Sequence, residues 1–370
     1  MKILIANITD SGIYRNRREF VAQLISEGHS VTIVSPRSDS AEKLIAMGCN
    51  YIEVHIQRHG LNPKEELRVI KTYRNILKKE KPNIVFSFTI KPNLYIGILC
   101  RFMRIPYVMN ITGLGEGLLH EGRAKKIIMR LYPIATKRAS CIFFQNEFNR
   151  QFFIDNRLAY PNIFRMIPGS GVNVTSFKPL EYPDEDSGVR FLFVSRIVKD
   201  KGIDELIEAI KVIKRKYDNV EFHFVGGCAE DYKNSVEQWK IDDLIIYHGR
   251  VAPDEVVNLY KMMHCLIHPS YHEGMANVIL ESAACARPCI ASDINGCREG
   301  IDEGKSGYVF TVKSVNALVE KIELFLSLTH EEKIEMGLAG RKKMEREFDR
   351  QIVVNAYMTV VKEIQKKYEH

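Results

Sequence analysis

The sequence predicts an α/β protein made of two consecutive doubly wound, Rossmann-like domains. Three observations carry this. Short apolar runs alternate with stretches of helical period along 370 residues. The alternation restarts after a proline- and acid-rich stretch near the middle. The length itself suits two ordinary domains. Runs apolar on both faces, joined by crossover helices, make parallel sheets.

In the first half the strands are expected at Ile3–Ile8, Val31–Ser35, Tyr51–His55, Ile84–Phe88, Tyr107–Ile111, Cys141–Gln145 and Ile163–Ile167. Helical periodicity fills the intervals at Arg17–Ser26, Glu65–Lys79, Asn93–Phe102 and Ala124–Lys137. Gly169–Gly188, with Pro179, Pro183 and Asp184-Glu185-Asp186, reads as a linker. The pattern then resumes with strands at Phe191–Ser195, Val220–Val225, Leu244–His248, Cys265–Ser270, Pro288–Ser292 and Gly307–Phe310. Helices are expected at Ile203–Lys214, Asp254–Lys261, Val278–Ala284, Val315–Leu326, His330–Phe348 and Arg350–Tyr368. The domains are therefore placed at 1–178 and 189–348, with 349–370 as a terminal helix. Such a pair has a cleft between its halves, and ligands sit outside the carboxyl ends of the strands.

Composition excludes several classes. With 45% hydrophobic and 27% charged residues, the chain is neither disordered, collagenous nor a coiled coil. The most apolar stretch, Leu94–Ile111, is broken by Arg101 and Arg104, which argues against a membrane span. The apolar start Met1–Ala6 turns polar at Asn7 without a signal-peptide cleavage site. Eight cysteines with no CxxC pair read as reduced core residues of a cytoplasmic protein. The net charge of +7 is uneven: residues 1–178 carry 27 basic against 13 acidic groups, and 179–370 carry 26 against 33. Either the first half faces an anionic partner, or the two halves attract each other.

Two stretches hold the chemistry. In His268–Ala284 a strand ends, a loop carries Glu273-Gly274, and a helix is expected to begin near Met275. Gly274 permits close backbone approach, and the free N–H groups of the helix start form an anion site. Glu281 lies two helical turns beyond Glu273, about 12 Å, so the carboxylates share neither a proton nor a metal. They either flank one long ligand with an anionic centre, or are a helix cap and a solvated side chain. In Ser195–Leu206, Arg196 closes a strand and Lys201-Gly202 opens a helix, a pairing suited to phosphate. The other reading is ordinary surface cations. Metal binding gains no support, because His264 and His268 fall on or beside a strand.

Ser195-Arg196, Lys201-Gly202 and Glu273-x7-Glu281 together resemble the donor-site signature of retaining GT-B glycosyltransferases of the family-4 type. Asp10-Ser11-Gly12 is similar to that family's flexible glycine loop near the donor phosphates, and Pro168–Phe177 to its interdomain segment. Asp349–Tyr357 resembles the terminal helix that crosses back to the first domain. Ile90–Asn93, Asn110–Gly115 and Asp293–Glu299 resemble a bacterial subgroup that extends polyprenyl-diphosphate-linked saccharides in capsule, O-antigen and glycan assembly.

The resemblance implies a transferase that moves a galactose, N-acetylgalactosamine or galacturonate type of hexose from a UDP-sugar, with retention and without a metal or other cofactor. Arg196 and Lys201 would stabilise the leaving diphosphate. Glu281 would bind the ribose, and Glu273 the transferred sugar, together with backbone N–H groups of Gly274, Met275, Ala276, Asn277 and Val278 on sugar and phosphate. Arg250 and Val251 would lie near the base, and Gly12 near the phosphates. On the acceptor side the candidates are Thr112, His120, Arg123, Lys125 and Lys126. Relatives carry a functional histidine in this loop, but His120 lies eight residues beyond Thr112, and a lone loop histidine is more often a surface residue. Gly122–Tyr132 pairs a cationic with an apolar face. It suits the anionic inner surface of the cytoplasmic membrane, or is an ordinary amphipathic helix. Nucleic acid is not expected, since aromatic residues do not interleave the basic stretch. The rival enzyme is a nucleotide-sugar epimerase of similar twin-domain fold. A nicotinamide oxidoreductase lacks its fingerprint, because Gly113-Leu-Gly115-Glu-Gly117-Leu has no sixth-position glycine.

Overall fold

Parallel pairing throughout two separate sheets organises the chain. The computed structural model describes residues 1–57, 62–119, 121–185, 188–252 and 255–367. They fall into two units, Met1–Ser170 with Arg350–His370, and Gly171–Asp349.

The first unit holds β1 (Lys2–Ala6), β2 (Ser30–Ser35), β3 (Asn50–Glu53), β4 (Ile84–Phe88), β5 (Tyr107–Ile111), β6 (Cys141–Phe144) and β7 (Phe164–Met166). Their order in the sheet is β3-β2-β1-β4-β5-β6-β7. The helices Asp10–Ser26, Ser40–Ala46 and Arg350–Lys366 cover one face, packing Phe20, Leu44 and Tyr357 on Ile3, Ile5 and Phe86. Pro63–Glu80, Ile90–Met103 and Arg123–Thr136 cover the other, through Tyr73, Ile96 and Tyr132. The terminal helix is built into this core. Tyr357 is fully buried, its ring 4.9 Å from those of Phe20 and Phe143, and its hydroxyl donates to Asn110 Oδ1 at 2.6 Å.

The second unit holds β8 (Val189–Val194), β9 (Val220–Val225), β10 (Ile246–Tyr247), β11 (Cys265–His268), β12 (Cys289–Ser292) and β13 (Gly307–Phe310), in the order β10-β9-β8-β11-β12-β13. This is the dinucleotide-fold order, whose reversal lies between β8 and β11. Helices Ile203–Lys214 and Val315–Leu326 pack on one face, and Val256–Met262 and Asn277–Ala284 on the other.

Two expectations need correction. Residues 171–178 belong to the second unit, and the stretch read as a linker is a strap bonded to it. Val172 is buried against Leu280 and Met344 and donates its N–H to Phe348 O at 2.8 Å. Arg341 donates to the carbonyls of Val174 and Phe177, and the buried Arg287 to those of Leu180 and Glu181. His264 Nε2 donates to Asp184 O at 2.9 Å. The second correction concerns Gly12. Asp10–Ser26 is helical from the start, capped by the Thr9 hydroxyl, which accepts from Gly12 N at 3.2 Å. Gly12 therefore lies in a first helical turn and not in a loop.

Candidate functional site

The carboxyl ends of β8 and β11, at the reversal of strand order, carry the residues that meet. After β8 the chain makes one turn of 3-10 helix, Lys199–Lys201, and enters Ile203–Lys214 through Gly202. Gly202 has φ +69°, and a Cβ there would lie 2.0 Å from the carbonyl oxygen of Pro269, so only glycine lets the two loops close together. Tyr271 N donates to Asp200 O across the same junction at 2.9 Å. Lys201 Nζ consequently reaches Glu273 Oε1 at 2.5 Å and Ser270 Oγ at 3.3 Å.

Glu273 is held from three directions. His268 Nε2, from the last residue of β11, lies 2.9 Å from the same Oε1. The backbone of Glu273 lies against Gly296, where an added Cβ would come within 2.8 Å of the Glu273 carbonyl oxygen. Burial alone would raise the Glu273 pKa. The hydrogen bond and charge of His268 and the charge of Lys201 outweigh it, holding the carboxyl at about 2.

Beyond Glu273 the chain is irregular, bending at Gly274, as far as Ala276, whose N–H donates to Gly296 O at 2.7 Å, and the helix begins at Asn277. That corrects the expected start near Met275. Only Asn277 to Glu281 of the Glu273-to-Glu281 interval is helical, a rise of about 6 Å over four steps. Ala276 is the N-cap and provides no side-chain hydrogen bond to the first turn, where Ile279 N and Leu280 N donate to Ala276 O at 3.0 and 3.4 Å. Gly274, Met275, Asn277 and Val278 around it are half-buried. Glu281, one turn into the helix, takes a hydrogen bond from the buried Tyr260 hydroxyl at 3.5 Å.

Arg196 is exposed just after β8, with no hydrogen bond or ion pair among the described residues. Its neighbour Ile197 donates to Gly227 O at 2.9 Å. A Cβ on Gly227 would come within 2.6 Å of Arg250 Nε. The backbone beside Arg196 and the exposed guanidinium of Arg250 thus meet at one two-glycine corner, Gly226-Gly227. Val251 follows Arg250, half-buried.

His268, Ser270 and Tyr260 were not among the expected site residues. The available signal is a histidine closing an apolar run five residues before a glutamate. His264 makes backbone bonds instead, with Nδ1 accepting from Arg190 N at 3.0 Å. Among the described residues no group of three or more histidine, cysteine or acidic side chains is placed to hold a metal ion.

The remaining candidates belong to the first unit. Gly12 packs under Asn7 and Thr9, and a Cβ there would lie 2.8 Å from both side chains. Thr112 follows β5, half-buried. Arg123 and Lys126 are exposed, and Lys125 pairs with Glu121 at 2.5 Å. His120 lies outside the described residues. Helix Arg123–Thr136 divides its apolar residues: Ile128 and Tyr132 enter the core, while Ile127 and Ile134 stay 45% and 39% exposed beside Arg123, Lys126 and Arg130. Among the described residues no helix is long and apolar enough to cross a membrane.

The glycosyl transferase 4-like family matches residues 2–146, and the glycosyl transferases of group 1 match residues 181–343. With both sheets and this pair of matches, the chain belongs to the glycosyltransferases of the GT-B fold. Among curated proteins it is similar to the N,N'-diacetylbacillosaminyl-diphospho-undecaprenol alpha-1,3-N-acetylgalactosaminyltransferase of Campylobacter jejuni, 26% identical over 97% of each chain. It is also similar to the capsular polysaccharide biosynthesis glycosyltransferase CapM of Staphylococcus aureus, 27% identical over 84% of this chain and 87% of that one. Among solved structures it matches the Anabaena protein HepE in complex with UDP-glucose, with TM-score 0.77 and 16% identity over 100% of this chain and 99% of that one.

Proposed function

We propose that the protein is a retaining, metal-independent hexosyltransferase that uses a UDP-sugar of galactose, N-acetylgalactosamine or galacturonate type and extends a polyprenyl-diphosphate-linked saccharide. The observation that carries this reading is the contact of Lys201 with Glu273 at the reversal of strand order, beside a helix start without a side-chain cap. The Campylobacter relative supports the lipid-linked acceptor and the N-acetylhexosamine, and its near-complete coverage supports carrying both over.

In this reading the donor diphosphate rests on the first-turn amides of Asn277–Ala284. Arg196 and Lys201 take the charge that develops as the sugar–phosphate bond breaks. Glu281 accepts from the ribose hydroxyls, and Glu273 from a hydroxyl of the transferred sugar. Arg250 and Val251 stand beside the base. The acceptor hydroxyl oxygen attacks the anomeric carbon on the face the diphosphate leaves, which preserves configuration. Its proton passes to the departing phosphate oxygen, and UDP leaves with the bonding electron pair. Thr112, Arg123, Lys125 and Lys126 of the first unit serve the acceptor. The exposed mixed face of Arg123–Thr136 holds the protein at an anionic cytoplasmic membrane surface.

The test is product analysis with a panel of UDP-sugars and a polyprenyl-diphosphate-linked saccharide in detergent, with EDTA present. The reading expects UDP release that depends on the acceptor and an anomeric configuration matching the donor. Turnover that requires added metal, or inversion at the anomeric carbon, contradicts it.

A further inference from the structure

We infer that His268 is the positioning residue for Glu273, keeping its carboxylate in place when Lys201 turns from it to the leaving diphosphate. This rests on the roles proposed above for Lys201 and Glu273.

Position 268 is an unfavourable place for a histidine unless the side chain has a task. It closes the central strand β11 after Cys265, Leu266 and Ile267, all at most 1% exposed, and is itself 2% exposed. A branched aliphatic residue would fill such a site without any polar group to satisfy. Among the described residues the buried Nδ1 has no hydrogen-bond partner, which carries a desolvation cost. What the position gains is the hydrogen bond to Glu273 Oε1 at 2.9 Å. Since a carboxylate only accepts, Nε2 carries the proton and donates.

Lys201 has two claims on it. Its ammonium group lies on Glu273 Oε1 at 2.5 Å and Ser270 Oγ at 3.3 Å, yet the proposed chemistry needs it on the diphosphate. Its stem is long and flexible, so it can swing. His268 cannot, because its backbone is locked into a strand paired with β12 and its ring is enclosed. When the lysine moves, the histidine bond to Oε1 stays. Glu273 then keeps its rotamer and presents Oε2, which takes no hydrogen bond among the described residues, to the sugar. Gly296 against the Glu273 backbone fixes the main chain, and His268 fixes the side chain.

The experiment compares His268→Leu, His268→Gln, Glu273→Gln and the double variant His268→Leu/Glu273→Gln, measuring kcat, KM for the UDP-sugar and UDP affinity. Glutamine can present an amide N–H near the position of Nε2, whereas leucine cannot donate. Expected for His268→Leu is a kcat loss of about tenfold to 100-fold, the range of a misplaced site group, with KM and UDP affinity unchanged. Glutamine restores most of the loss, and leucine adds nothing once Glu273 is already glutamine. Three results overturn the inference: a parental kcat in His268→Leu, a glutamine variant as slow as the leucine one, or a loss of UDP affinity equal to the loss of kcat. A parental rate in Glu273→Gln would instead overturn the site assignment beneath it, so the two failures are distinguishable.

Discussion

Lys201 and Glu273, 72 residues apart in the chain, place ammonium nitrogen and carboxylate oxygen 2.5 Å from each other. The contact joins the loop that follows β8 to the loop that follows β11, the two strands on either side of the reversal in sheet order. It brings together two groups of opposite charge that the proposed reaction uses separately, so in that proposal the donor would open this ion pair.

Acid stability follows from the Glu273 carboxyl. Its pKa in the folded protein, about 2, lies below the ordinary value of 4.5, so ionised Glu273 stabilises the fold above the ordinary value. That contribution is lost as pH falls through the folded value. Glu273→Gln is expected to unfold at a lower temperature than the parent at pH 7. The gap should narrow between about pH 4.5 and pH 2. Melting curves across that range check it, and a gap that is constant with pH would sink the assignment.

Gly202→Ala tests the closure of the two loops. The new Cβ would lie 2.0 Å from Pro269 O in a left-handed backbone. Expected is a loss of about 1–3 kcal/mol in stability. The loop shift should also carry Lys201 away from Glu273, with turnover falling further than stability accounts for. Chemical denaturation with parallel rate measurements separates the two effects.

The strap is tested at Arg287. Its buried guanidinium donates to the carbonyls of Leu180, Glu181 and Tyr260. Arg287→Met leaves those acceptors unpaired, with an expected cost of about 3 kcal/mol. Limited proteolysis should then cut within 178–185, which the parent should resist.

Membrane docking is tested on the face where Phe102, 71% exposed, stands at the end of the helix bonded to Arg123–Thr136 through Arg101 and Ile134 O. Replacing Arg123, Lys126 and Arg130 by glutamate should weaken sedimentation with vesicles rich in anionic lipid, each lost charge counting for roughly 1 kcal/mol. Binding unchanged by the triple substitution would remove the membrane role of this helix.

The sequence made strands legible wherever both faces are buried, because a continuous apolar run has few other uses. Ile84–Phe88, Tyr107–Ile111 and Val220–Val225 have the limits read from it. Helices that bury little left weaker marks. Lys233–Ile241 buries only Val236, and Glu147–Asp155 only Asn149 and Phe153, and neither was expected. The strap is not legible as such because its prolines and acids are local, while its anchors Arg287, His264 and Arg341 are 80 to 167 residues away in the chain. The candidate site was legible in its residue types at Arg196, Lys201, Glu273 and Glu281. The Lys201–Glu273 bond and the part played by His268 were not, since contacts across a parallel sheet leave no spacing to read. The start of the helix at Asn277 also depends on a distant bond, from Ala276 N to Gly296 O.

The proposed donor site holds a UDP-sugar between the Lys201–Glu273 loops and the helix carrying Glu281. Thermal unfolding with UDP, GDP and NAD in EDTA, on the parent and on Glu281→Ala, tests it most directly. A ligand at 100 times its Kd adds about 2.7 kcal/mol, a few degrees in Tm. Expected is that rise for UDP in the parent and its loss in Glu281→Ala. A rise with GDP or NAD but not UDP, or an equal UDP rise in Glu281→Ala, would contradict it.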